Sequence, residues 1–186
     1  MPTRIEAVER KGAGGILCTD ASLIRFEFPA RGNKPPVTLT WHDGGFMPEN
    51  RKEWGLKELA PSGMIMVGKK ASLMTGGRPD SPRLIPDDLW KDFRRNLPDK
   101  TIPRDKGGPY KEWTSAIKGD GPMPGSTFDY GAELTEVALL GVHAQRFGGR
   151  LDSDAKNMKI TNRPELNAFL KEPVRVGWEY GKAIQL

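Results

Sequence analysis

Trp41-His42-Asp43-Gly44-Gly45 brings an imidazole, a carboxylate and two flexible residues to one point of the chain. A histidine beside an acid is a grouping from which general acid–base chemistry can be built, here a sugar-processing reaction that needs no nucleotide. The plain alternative is a turn stabilised by the Asp43 side chain. Two further groups, Tyr110-Lys111-Glu112-Trp113 and Phe128-Asp129-Tyr130, combine hydrogen-bonding and stacking side chains that suit a polyol pocket. Trp113, at helical spacing, equally fits core packing. Glu136 can face solvent or reach a neighbour, and His143, inside a long helix, reads as a packed or surface histidine.

Several chemistries lack their residues. A bound nicotinamide cofactor needs a strand, a Gly-x-Gly-x-x-Gly turn and a helix, because only glycine lets the backbone approach the pyrophosphate. The nearest segment is Lys11-Gly12-Ala13-Gly14-Gly15-Ile16-Leu17, with Leu17 in the third glycine's place and no convincing helix after it. A hairpin loop accounts for its glycines. There is no Walker loop and no Gly-x-Ser-x-Gly elbow. One cysteine, Cys18, and two histidines do not make a structural zinc site of the usual composition.

The elements that must position these groups are legible in part. Ile24, Phe26 and Phe28 alternate with Arg25 and Glu27, which predicts a half-buried strand ended by Pro29. Val37, Leu39 and Trp41 alternate in the next strand, so the pair reads as a hairpin around Arg31-Gly32-Asn33-Lys34. Residues 44–62 show no period, and one short helix is expected at 57–59. A second hairpin is expected over residues 63–75, turning at Lys69-Lys70. Helices are expected over 86–93, over 109–118 with Tyr110, Trp113 and Ile117 on one face and Gly119 as the stop, and over 130–147. The last has an apolar stripe of Leu134, Val137, Leu140 or Gly141, and Ala144, with Thr127 or Asp129 as cap and Gly148-Gly149 as stop. A short strand pair around 150–152 and 158–161 and a helix opened by Pro164 complete the chain.

Composition bounds the rest. At 186 residues, 37% hydrophobic and 28% charged, the chain reads as one soluble α+β domain over residues 1–186. Its 22 glycines and 16 prolines favour a loop-rich sheet protein over a helical bundle. No apolar run approaches the roughly 18 residues of a membrane span, and no export signal opens the sequence, so a cytoplasmic protein is the default expectation. The net charge of +5 is spread among acidic residues with no basic block, so neither nucleic acid nor membrane is an expected partner.

Taken in order, Phe26-Glu27-Phe28-Pro29-Ala30-Arg31-Gly32, Pro35-Pro36-Val37-Thr38-Leu39-Thr40-Trp41-His42-Asp43-Gly44-Gly45, Gly63-Met64-Ile65-Met66-Val67-Gly68, Thr75-Gly76-Gly77, Pro82-Arg83-Leu84-Ile85-Pro86, Glu112-Trp113, Phe128-Asp129-Tyr130 and Leu134-Thr135-Glu136 resemble the C-terminal domain of bacterial Gfo/Idh/MocA oxidoreductases. Asn157-Met158-Lys159-Ile160-Thr161-Asn162 fits the same pattern, and the match covers nearly the whole chain. The resemblance implies an open, largely antiparallel mixed sheet with helices packed on one face and another subunit on the other. It implies an NAD(P)-dependent dehydrogenase acting on sugars, polyols or their derivatives. In that family the dinucleotide fold, the lysine of a Glu-Lys-Pro motif and an Asp-x-x-x-His pair precede the segments matched here. None of those catalytic residues carries over to this sequence. Two positions depart from the pattern: Gly108-Pro109-Tyr110 stands where Gly-His-Tyr is common, and His42 where tyrosine is usual.

Under this resemblance the chain is a substrate-side and oligomerisation domain, catalytically incomplete alone, that binds no cofactor by itself and forms a homo-oligomer through its open sheet face. Its pocket-lining residues would be Trp41, His42, Asp43, Tyr110, Lys111, Trp113, Asp129 and Tyr130, with a sugar or polyol as ligand. The alternative is a stand-alone, non-catalytic dimerisation or carbohydrate-binding module.

Overall fold

The computed structural model describes residues 1–12, 18–79, 81–102, 107–171 and 173–179. In chain order its strands and α-helices are β1 (Arg4–Lys11), β2 (Ala21–Phe28), β3 (Val37–Asp43), β4 (Gly63–Val67), β5 (Ser72–Gly76), β6 (Arg83–Ile85), α1 (Asp87–Phe93), α2 (Gly108–Lys118), α3 (Phe128–Phe147), β7 (Gly149–Asp154) and β8 (Lys159–Ile160). This is the α+β class expected. The residues gather in two compact units, one of Met1–Gly44 with Phe128–Leu186 and one of Gly45–Thr127. Each unit has its own sheet, and every strand pair among the described residues is antiparallel.

The first unit is a five-stranded sheet in the order β3-β2-β1-β7-β8. Inward alternation on β2 buries Ser22, Ile24 and Phe26 beneath α3, where they meet Ile5, Leu140, Ala144, Leu151, Ile160 and Leu166 in one core. Of the stripe expected on α3, Leu140, Gly141 and Ala144 are buried, Val137 packs at the margin and Leu134 is exposed. The helix stops at Gly148, whose φ of 65° suits glycine, and its N–H returns to the Ala144 carbonyl at 2.9 Å. Arg10 donates to the Gln145 carbonyl at 2.7 Å and Arg163 to that of Gly148 at 2.8 Å. These cations complete carbonyls that the helix end leaves unpaired and complement its dipole.

The opposite face of the same sheet is charged. Arg4 sits directly across from Glu27 on β2 and from Asp152 on β7, while Glu6 sits across from Arg25 and Arg150. Ion pairs join Arg4 to Glu27 at 3.1 Å and to Asp152 at 3.3 Å, Arg25 to Glu6 at 3.3 Å, and Arg150 to Asp152 at 2.7 Å. The Arg150 hydrogen bond, with a smaller share from Arg4, holds the Asp152 carboxyl below the usual carboxylate range. Pairs of this kind, partly in water, contribute up to about 1 kcal/mol each.

The hairpin of β2 and β3 turns where expected: Arg31 and Lys34 exchange backbone hydrogen bonds at 3.1 and 3.0 Å around Gly32, which has φ 57°. The glycine-rich stretch expected to be a hairpin loop lies between β1 and β2, with Lys11 opposite Ala21. Residues 13–17 of that glycine-rich stretch lie outside the described residues.

In the second unit β4, β5 and β6 form a three-stranded sheet beside α1. The hairpin of β4 and β5 turns at Lys69-Lys70 as expected, closed by Gly68 N–H to the Ala71 carbonyl at 3.1 Å. No helix forms at 57–59; the turn of helix in this excursion is a 3-10 turn at Lys52–Trp54, which buries Trp54. A buried indole anchors that turn more firmly than the exposed residues after it. The helix opened by Pro164 is likewise a 3-10 helix, Pro164–Phe169, held by the buried Leu166.

Candidate functional site

Where β3 ends, its last side chain enters the core of the first unit. Ser22 lies directly across from Asp43 and Leu23 across from His42. Because successive strand residues point to opposite faces, Asp43 faces α3 and His42 faces away from it. The imidazole and the carboxylate, neighbours in the chain, therefore form no pair. Burial lowers the His42 pKa below its ordinary value.

Asp43 is instead the acceptor of a closed polar cluster. Its Oδ1 accepts from the Ser22 backbone N–H at 2.6 Å and from the Ser22 hydroxyl at 2.9 Å. Gln145 of α3 donates through Nε2 to Asp43 Oδ2 and to Ser22 Oγ, both at 2.7 Å. Ser22 is 0% exposed, so the cluster satisfies polar groups that water does not reach and ties two strands to the helix. Gly44 follows with φ 62°, and a Cβ there would collide with the Asp20 carbonyl oxygen. Only glycine fits so close a return of the chain. Neither Ser22 nor Gln145 was among the candidates. Their signal is a polar residue standing in the inward phase of an apolar pattern, at 22 with 24 and 26 on β2, and at 145 with 141 on α3.

The other candidates divide between the units. Trp41 shares the α3 side of β3 with Asp43 but is 58% exposed. Asp129 and Tyr130 occupy the exposed first turn of α3. Sixteen residues of helix at 1.5 Å per residue put Asp129 about 24 Å along the axis from Gln145, and so from the Asp43 cluster. One small pocket does not span that distance. Tyr110, Lys111 and Trp113 belong to the second unit, on α2, which buries no side chain. Trp113 is 52% exposed, so the core-packing role that its spacing suggested is not the one it has. What α2 does hold is the loop after it, through the Gly125 N–H donated to Glu112 Oε1 at 2.9 Å.

His143 is the second titratable group of interest in the first unit. Its Nε2 is buried with no hydrogen-bond partner, and its ring meets Phe147 edge-on at 5.6 Å. Burial, with the neighbouring Arg146 charge, lowers its pKa, while a backbone hydrogen bond with Phe169 works in the opposite direction. A histidine whose folded pKa is lowered binds protons more readily when unfolded, so its share of stability is complete above its unfolded value near 6.5 and is lost as pH falls below it. We expect the urea midpoint to fall between about pH 7 and pH 5 and the fall to shrink in His143→Gln; an unchanged pH dependence in that variant would remove His143 as the cause.

Among the described residues no three His, Cys, Asp or Glu side chains gather as a metal site would require, and no helix is long and apolar enough to cross a membrane. Comparison of the chain with protein-family models, with curated proteins and with solved structures finds no match.

Proposed function

We propose that the chain serves as the substrate-side and oligomerisation domain of an NAD(P)-dependent oxidoreductase of sugars, polyols or their derivatives, with a separate dinucleotide-binding fold supplying the cofactor. The ordered resemblance of its segments to the Gfo/Idh/MocA C-terminal domain is the ground for the activity. The geometry that supports it is the antiparallel five-stranded sheet with α3 on one face, since a dinucleotide fold is built from parallel strands with crossover helices.

The observation that carries the oligomeric part is at the sheet's edge. Val37, Leu39 and Trp41 lie directly across from Phe28, Ile24 and Phe26 partners on the same face, Val37 with Phe28, Leu39 with Phe26 and Trp41 with Ile24. Phe26 and Ile24 are buried under α3, whereas Val37, Leu39 and Trp41 are exposed. This stripe is the uncovered margin of the helix-bearing face and not the open face expected from the resemblance, which carries the Arg4, Glu6, Arg25 and Arg150 ion pairs; an edge strand with an apolar stripe is a surface that a second copy of the chain can cover. Sedimentation velocity should give a concentration-dependent dimer that Leu39→Asp with Trp41→Asp converts to monomer. A chain that stays monomeric at high concentration would count against the oligomerisation role. Titration with NADH and NADPH should show no binding in the micromolar range; micromolar affinity would contradict the division of labour proposed.

The same stripe favours a second reading, a dimerisation module without catalysis. The two part on ligand binding: saturable heat with a panel of sugars and polyols supports the substrate-side role, and dimerisation without it supports the module.

A further inference from the structure

On its outer side β3 has no strand beside it among the described residues. Edge strands usually carry something that stops a further strand from joining: a charge in mid-strand, a proline, a bulge or a very short length. β8, at the other edge of the sheet, is two residues long and begins with Lys159. β3 has no such device. Its middle, Val37-Thr38-Leu39-Thr40-Trp41, is uncharged, mostly of strand-forming types and exposed at every position, and its pairing with β2 runs from Val37 to Asp43 without a bulge. The N–H and C=O groups of β3 that point away from β2 therefore stand in line along a straight, unblocked edge.

The same residues read alike in both directions: apolar, Thr, apolar, Thr, apolar. That symmetry selects a second copy of the strand as the occupant. In an antiparallel pair related by a two-fold axis, directly opposite side chains share a face, so one residue lies on the axis and the others meet in pairs equally far from it. With Leu39 on the axis, Leu39 meets its own copy, Val37 meets Trp41 and Thr38 meets Thr40, and aromatic with β-branched and Thr with Thr are pairs that stabilise sheets. The neighbouring registers are worse. Centring on Thr38 sets Trp41 across from Pro35 and Thr40 across from Pro36, while centring on Thr40 sets Val37 across from Asp43, whose carboxylate Ser22 and Gln145 already occupy. Charge agrees with the Leu39 register. It places the exposed Lys34 of one copy across from Gly44 of the other, and Gly44 lies against the exposed Asp20, a contact that the two-fold repeats at the far end.

We propose that two copies of the chain join β3 to β3, antiparallel with Leu39 on the two-fold axis, so that their two five-stranded sheets become one continuous sheet. The axis of such a pair is perpendicular to the sheet, which puts both α3 helices on the same side. Val37, Leu39 and Trp41 of the two copies then form one apolar band across the joint. This joint deepens the oligomerisation reading above, on which it rests: main-chain hydrogen bonds hold the copies together, and the apolar band fixes their register.

Cysteine cross-linking reads the register, in the full chain with the exposed Cys18 changed to serine. Leu39→Cys should give a covalent dimer on mild oxidation, since opposite Cα atoms in an antiparallel pair stand about 4.5–5.5 Å apart, within disulfide reach. Val37→Cys alone and Trp41→Cys alone should cross-link at least about tenfold less, because each lies four residues, about 13 Å, out of register with its own copy. Mixed together, these two should give a heterodimer to the same extent as Leu39→Cys gives a homodimer. Amide exchange checks the backbone without a substitution in β3: alternate N–H groups between residues 37 and 41 should become protected as rising concentration forms the dimer. A dimer in sedimentation whose β3 amides stay unprotected, and whose Leu39→Cys form does not cross-link, overturns the strand pairing and leaves oligomerisation standing. Stronger cross-linking by Thr38→Cys or Thr40→Cys than by Leu39→Cys overturns the register. A chain that stays monomeric at every concentration overturns the joint and the oligomerisation reading together.

Discussion

Asp43→Ala is expected to cost about 2–4 kcal/mol of folding stability, well beyond what a polar residue at the end of an edge strand normally contributes. The carboxylate accepts two hydrogen bonds from Ser22 and one from Gln145. Ser22 has no exposed surface, so without Asp43 its backbone N–H stays in the core unpaired, and its hydroxyl keeps only the Gln145 donor, with no acceptor of its own. Such a group keeps its full desolvation cost, which is why removing one partner of a buried cluster is worse than the net worth of any single bond. Asp43→Asn should recover most of the loss, to within about 1 kcal/mol of the parent, because its amide oxygen can still accept from Ser22 while the Gln145 amide turns to accept from the new NH2 group. Urea unfolding of the three proteins measures this through the midpoint at constant m. A loss under about 1 kcal/mol for Asp43→Ala would mean that water reaches the cluster, and would return Asp43 to the list of groups free to touch a ligand.

The fate of His42 and Asp43 marks where a sequence stops being informative. Adjacent in the chain, they suggest a catalytic pair, but the two-residue period of a strand sends them to opposite faces, and Asp43 finds partners 21 and 102 residues away. No local pattern carries pairings of that separation. Alternation on β2 and β3, by contrast, is a local property, and both strands are found where it predicts them. It identifies a face without saying whether anything covers that face: Phe26 is buried and Leu39, opposite it, is not. β1 shows no legible period, because Arg4, Glu6, Glu9, Arg10 and Lys11 crowd it with charge and a bulge between Ala7 and Glu9 breaks its alternation. β6, at three residues, is too short to show any period. The second unit is an insertion between β3 and α3, flanked by Gly44-Gly45 and by Gly119-Asp120-Gly121-Pro122-Met123-Pro124-Gly125, but in a chain with 22 glycines and 16 prolines such stretches mark turns as readily as unit boundaries.

How closely α3 lies on the sheet is set by one missing side chain, and that makes the contact testable as a pair. A Cβ on Gly141 would stand 2.8 Å from Cζ of Phe26, closer than packed carbons come. The helix gives up helix propensity of about 1 kcal/mol at this glycine so that the phenylalanine ring can lie flush beneath it. Phe26→Ala empties a buried site and should cost about 3–5 kcal/mol. Gly141→Leu drives a branched side chain into the occupied space and should cost about 1–3 kcal/mol even after the gain in propensity. In the double variant the leucine enters the volume that the ring has left, so the total should fall short of the sum by at least about 1 kcal/mol. Urea titrations of the four proteins give the coupling directly. Additivity within about 0.5 kcal/mol would show that residues 26 and 141 do not meet, and α3 would then have to seat elsewhere on the sheet, taking Gln145 away from Asp43 and Ser22.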